Sequence, residues 1–164
     1  MKNLLPKGMA VMAGFFGAVT AAGEIERDVA KFHQPADPRA AGLRAFFEAR
    51  QCPVAASTNV FLTEADEHRL DWRLLPSLAF VESTCGKFGH YNNLFGWANG
   101  VTRFLSRREA IHEVARAMAE NPAYKGKDLK GKLWSFNHSL EYRALVLSVM
   151  EQVSPARREL ALAE

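Results

Sequence analysis

Apolar residues along this chain recur at spacings of three and four rather than two. Leu43, Phe46 and Phe47 form one stripe, Ile111, Val114, Ala115 and Met118 a second, and Tyr142, Leu145, Val146, Val149 and Val153 a third. That repeat turns one face of a helix toward a core. No alternating run of useful length signals a strand, so an all-α domain is expected. Polar residues punctuate the stripes. Pro35, Pro38 and Gly42 are expected to interrupt any long helix before the first stripe, and Pro53 breaks the chain after it. Ser57, Thr58 and Asn59 then cap a helix through Leu70. Asp71 caps a central helix over 72–84, with Pro76 early enough to kink rather than break it and Gly86 as its left-handed stop. Ser106 and Glu109 form a capping box ahead of the second stripe, which ends before Asn121-Pro122. A short helix over 128–136 precedes Asn137 and His138. Ser139 caps the last helix, and Ser154-Pro155 stops it.

The first residues follow a different pattern. Lys2 and Lys7 precede an apolar stretch over 8–22 that ends in small residues, the three-part form of a secretory signal. It falls short of the roughly 20 residues a bilayer span needs, which favours cleavage after Ala21 or Ala22 over an uncleaved anchor. Loss of Lys2 and Lys7 with that segment would take the formal charge from +3 to +1. So small an excess argues against nucleic acid as a partner. The run Lys125, Lys127, Lys130 and Lys132 has no interleaved aromatics to stack bases and reads as a solvated face or loop. At 164 residues, 48% of them hydrophobic, the chain has enough apolar side chains for one core. In an oxidising compartment Cys52 and Cys85 either pair or remain free and buried. His33, His68, His90, His112 and His138 are scattered without a paired ligand pattern, so neither a metal nor a cofactor is expected.

Candidate chemistry gathers in 76–96, PSLAFVESTCGKFGHYNNLFG. From Leu75, the residues Leu78, Ala79 and Glu82 follow at helical spacing, so Glu82 extends the row that faces the core. A carboxylate there is poorly hydrated, which favours the protonated form a general acid needs. The other reading of the same spacing is a glutamate at a helix end, paired with Lys87 or directed at solvent. No Asp or Glu occurs between Glu82 and Glu109, and Glu109 is better explained by its capping box.

With these residues placed, the chain resembles the lysozyme-like superfamily that cleaves bacterial peptidoglycan. Glu82-Ser83, then Gly86, then Asn92-Asn93-Leu94-Phe95-Gly96 resemble the flagellar-type endo-β-N-acetylglucosaminidases. Phe136-Asn137 followed by Tyr142 resembles the Tyr-Asn and Tyr motifs of lytic transglycosylases and goose-type lysozymes. The similarity runs from about Phe61 to Pro155. Two departures stand out, a thiol at Cys85 and Phe136 in place of the usual tyrosine, whose hydroxyl is lost.

The resemblance implies a lysozyme-like helical domain with a substrate cleft over 56–156. Before it come a signal peptide over 1–22 and a linker with an N-terminal helical segment over 23–55, and a tail over 157–164 follows. It makes Glu82 the acid that protonates the bridging oxygen between N-acetylhexosamines. Ser83 either bonds within the site or is a polar group at a fraying end. Phe95 and Trp97 either wall a sugar or pack in the core, with Gly96 leaving room for close approach. Asn93 belongs to the substrate-binding set. Asn137 orients substrate or caps a turn, and Tyr142 packs or points its hydroxyl into the cleft. A lone acid favours assistance by the substrate's own N-acetyl or hydroxyl group, giving an anhydro-sugar. Water held by Asp71 or Glu113 is the hydrolytic alternative. The expected partner is the peptidoglycan glycan strand, in a periplasmic or extracellular envelope setting, with membrane contact only through the signal segment. A catalytically inactive glycan-binding or scaffold module is the alternative function.

Overall fold

A computed structural model describes residues 37–153. The expected signal peptide, residues 23–36 of the linker segment, His33 and the tail lie outside the described residues, as does the Ser154-Pro155 stop. Among the described residues there are six α-helices and no strand: α1 (Pro38–Ala49), α2 (Thr58–Glu67), α3 (Leu74–Ser83), α4 (Arg107–Glu120), α5 (Leu129–Phe136) and α6 (Leu140–Val153), with one 3-10 turn, Ala55–Ser57. None of these helices is long and apolar enough to cross a membrane.

Helix α3 is the core element. Leu74, Leu75, Leu78 and Ala79 are buried in it, and burying a side chain of leucine size is worth about 1.5–3 kcal/mol. It packs most extensively along α6 through Val146, Val149, Met150 and Val153. Helices α2 and α4 pack on each other, and α1 lies against both α2 and α6. Helix α1 therefore contributes Leu43, Phe46 and Phe47 to the same core as the elements that follow residue 56.

Local capping explains most of the boundaries. Ser106 accepts from Glu109 N–H at 3.1 Å, Asp128 from Gly131 N–H at 2.8 Å and Ser139 from Tyr142 N–H at 3.1 Å. The return arm of the box is displaced by one residue, because the Glu109 carboxylate takes the N–H of Leu105.

Other boundaries differ from expectation. Pro38 and Gly42 do not interrupt α1. Asp37 accepts from Arg39 N–H and Pro38 occupies the first turn, where its missing N–H costs nothing. The cost of about 1 kcal/mol for a mid-helix glycine is outweighed by the three buried side chains. Ser57 makes no side-chain cap to α2. That helix stops at Glu67, where left-handed Arg69 sends Leu70 N–H back to the Ala65 carbonyl. Asp71 does not cap α3 but bonds Arg73, so α3 begins at Leu74. Its left-handed stop is Thr84 (φ 50°) rather than Gly86, with Cys85 (φ 59°) following in the same region. Leu145 leaves the apolar stripe of α6 and is 52% exposed.

Cys52 and Cys85 form a disulfide with Cα atoms 5.3 Å apart. It ties the segment after α1 to the reversal that ends α3. Two consecutive non-glycine residues in left-handed backbone, one of them β-branched, are costly at roughly 1–2 kcal/mol each. The bridge anchors the second of them.

Candidate functional site

Glu82 is on the last turn of α3 and faces a cleft of about 520 Å³. The far wall is the turn between α4 and α5, with Asn121, Ala123 and Tyr124. The near wall is the loop Gly96, Trp97, Ala98 and Asn99, and Phe136 and Asn137 close one end. Among the described residues lining it, Glu82 is the one charged side chain. Asp71 and Glu113 do not line it. Asp71 is engaged with Arg73 and Glu113 with Arg116. Burial pushes Asp71 up, but the Arg73 hydrogen bonds outweigh it and hold the carboxyl below its usual range.

The two carboxylate oxygens of Glu82 have different surroundings. Oε1 accepts a hydrogen bond of 2.5 Å from the Tyr142 hydroxyl, across 60 residues of sequence. Burial, and then the hydrogen bond and charge of Glu82, push the Tyr142 phenol well above its usual range, so it stays a donor. Oε2 lies over Gly96, where a Cβ would come within 2.8 Å of it. Gly96 is at φ +58°, in the left-handed region, so the glycine serves both the backbone turn and the close approach. Lys87 does not pair with Glu82; its ammonium donates to the Arg50 carbonyl.

Aromatic rings surround this acid. Phe136 stacks on Tyr142 at 6.0 Å and 13°, and Trp97 lies 5.9 Å from Phe136 and 6.1 Å from Tyr124 between centroids. The Phe136 ring thus holds Tyr142 in place without needing a hydroxyl. Tyr124 was not legible as a site residue. The signal for it was local: Asn121-Pro122 ends α4, and the turn that follows must carry its first large side chain inward. Lys132 secures that turn, donating to the carbonyls of Met118 and Tyr124 at 2.6 and 3.0 Å. One member of the lysine run is therefore structural.

Two expected binding residues, Ser83 and Asn93, hold the loop beside the cleft and do not line it. Ser83 Oγ is buried, accepts from Gly86 N–H at 2.7 Å, and lies 2.7 and 3.1 Å from the carbonyls of Leu94 and Ala79. It clips the returning loop to the end of α3. Asn93 is buried, accepting from Trp97 N–H at 2.8 Å and donating to the carbonyls of Trp97 and Thr102. It sets the turn that presents Gly96 and Trp97. Phe95 is among the residues lining the cleft and is 0% exposed, its side chain packed into the core. Trp97 remains partly exposed at the cleft. Asn137 lines the cleft and also accepts from Ser139 N–H at 3.1 Å, the turn-capping bond expected of it.

Such an arrangement offers one carboxylate oxygen held by a permanent donor, a second oxygen beside an uncrowded backbone, and flat apolar walls. No protein-family model, curated protein or solved structure matches this chain.

Proposed function

We propose that the chain is an exported glycosidase of the lysozyme-like class that cuts β-1,4 bonds between N-acetylhexosamines of peptidoglycan, with Glu82 as general acid. The observation that carries this reading is the asymmetric setting of Glu82, Oε1 bound by Tyr142 and Oε2 beside Gly96 in an aromatic-walled cleft. A proton carried on Oε2 passes to the glycosidic oxygen as the bond from the anomeric carbon breaks, through an oxocarbenium-like transition state. Trp97, partly exposed at the cleft, supplies a ring against which a sugar can lie, with the buried Tyr124 packed beside it.

The cleft's single carboxylate favours intramolecular trapping over hydrolysis. A hydroxyl of the same sugar attacks the anomeric carbon, and the Glu82 carboxylate takes back the hydroxyl proton, leaving an anhydro-sugar end and regenerated acid. Export agrees with the Cys52–Cys85 bridge, which persists in oxidising compartments. The test is digestion of purified sacculi followed by mass spectrometry of the soluble fragments. Anhydro ends, one water lighter than reducing ends, are expected. Reducing ends would replace transglycosylation by hydrolysis, and sacculus binding with no release would select a glycan-binding module instead.

Two substitutions probe the acid's setting. Tyr142→Phe removes the donor to Oε1 and keeps the ring stack. A hydrogen bond to a charged group is worth about 1.5–3 kcal/mol, so release should slow roughly 10- to 100-fold, and because the same bond joins α3 to α6 the melting temperature should also fall by several degrees. In Gly96→Ala the added methyl meets Oε2 and displaces it. Misplacing a catalytic group by about 1 Å can cost 100-fold, and a loss of at least that size is expected in the same assay.

A further inference from the structure

A second cluster of chemically capable side chains sits away from the cleft, where α2 packs on α4. Glu64 is on α2 and His68 is the residue that caps its C-terminal end, four positions on, while His112 comes from α4. None of the three lines the cleft. Glu64 Oε2 is 2.9 Å from His112 Nδ1 and 3.6 Å from His68 Nε2, and the three ligand atoms all lie within 4.8 Å of one another. Tetrahedral bonds of about 2.0–2.1 Å place ligand atoms roughly 3.3 Å apart. The distances from Glu64 to the two imidazoles, 2.9 and 3.6 Å, bracket that value.

The burial is graded in a way that suits such an ion. Glu64 is buried, a costly position for a carboxylate, and the partner it has is the His112 ring on the facing helix. The His68 side chain is 14% exposed, and its Nε2 is buried with no hydrogen-bond partner among the described residues. An orphaned imidazole nitrogen facing a buried carboxylate is a group lacking its natural partner. The His112 side chain is 46% exposed, which leaves the outer side of the cluster open to a water as fourth ligand. Two imidazoles and one carboxylate favour zinc over magnesium or calcium, which take oxygen ligands.

We infer that Glu64, His68 and His112 form a zinc site that clasps α2 to α4. The ligands come from two helices, with His112 48 residues from Glu64, so linear spacing conceals the set. By joining the helix before the catalytic α3 to the one whose end forms the far wall of the cleft, bound zinc would stiffen the scaffold without entering the reaction.

The test uses the full chain stripped of metal with a chelator and then titrated with Zn²⁺. One equivalent is expected to bind and to raise the melting temperature. Cobalt(II) at the same site should give the intense visible absorption of tetrahedral coordination. His112→Ala removes a half-exposed ligand and should leave the fold intact by circular dichroism, while weakening Zn²⁺ by at least about 100-fold, the upper end of what loss of a ligand's supporting partner costs. His68→Ala should do the same, and exposed His138→Ala should change nothing. Absence of stoichiometric uptake would overturn the site, as would a thermal shift or cobalt spectrum unchanged in His112→Ala. No readout depends on glycan cleavage, so failure here and failure of the proposed function are separate results.

Discussion

Replacing Glu82 by Gln is expected to abolish the release of soluble fragments from sacculi while leaving the fold as it is. The amide has the shape of the carboxylate, and its oxygen still accepts from the Tyr142 hydroxyl, so the α3–α6 contact at this point is retained. What it lacks is a proton to give. General acid catalysis contributes about 10²–10⁴ in rate, and with no other carboxylate lining the cleft nothing stands ready to substitute. Fragment release measured over time, alongside a thermal melt, separates the two effects. Undiminished release by a folded Glu82→Gln variant would remove Glu82 from the reaction.

The second large effect is on stability. Cys52 and Cys85 are 33 residues apart in sequence, and closing a loop of that length removes unfolded-state entropy worth about 3.5–4 kcal/mol in the chain-entropy treatment. Against a total of about 5–15 kcal/mol for a domain, that is a large share. The paired substitution Cys52→Ser, Cys85→Ser should therefore lower the urea midpoint markedly. Reductant should do the same to the wild-type chain and nothing further to the variant, which isolates the bridge from the effect of serine itself. Because Cys85 is three residues past Glu82 within a left-handed reversal, activity should fall at temperatures where the wild type is still intact. A midpoint unmoved by either treatment would deny the bridge its role.

Reading the chain succeeded where the physics was local. Ser106 and Ser139 each bond a backbone N–H three residues on, so the starts of their helices were legible from a few consecutive letters. It failed where packing overrode propensity. Gly42 sits inside α1 because Leu43, Phe46 and Phe47 hold that helix against the core. Thr84, a residue that disfavours positive φ, ends α3 because the chain must turn there for Cys85 to reach Cys52.

The same division runs through the candidate site. From the letters alone came the helical class, the position of Glu82 at the edge of an apolar row and the absence of acids in the loop after it. Those properties depend on neighbours within one or two turns. Folding alone decided that Tyr142 meets Oε1 and that Gly96 is what leaves room for Oε2. It also decided that Ser83 and Asn93 hold the loop while Phe95 and Tyr124 line the cleft, and that Glu64, His68 and His112 converge. The meeting of Tyr142 with Glu82 and of His112 with Glu64 joins segments 60 and 48 residues apart, and such contacts exist only once the buried faces of the helices have chosen one another.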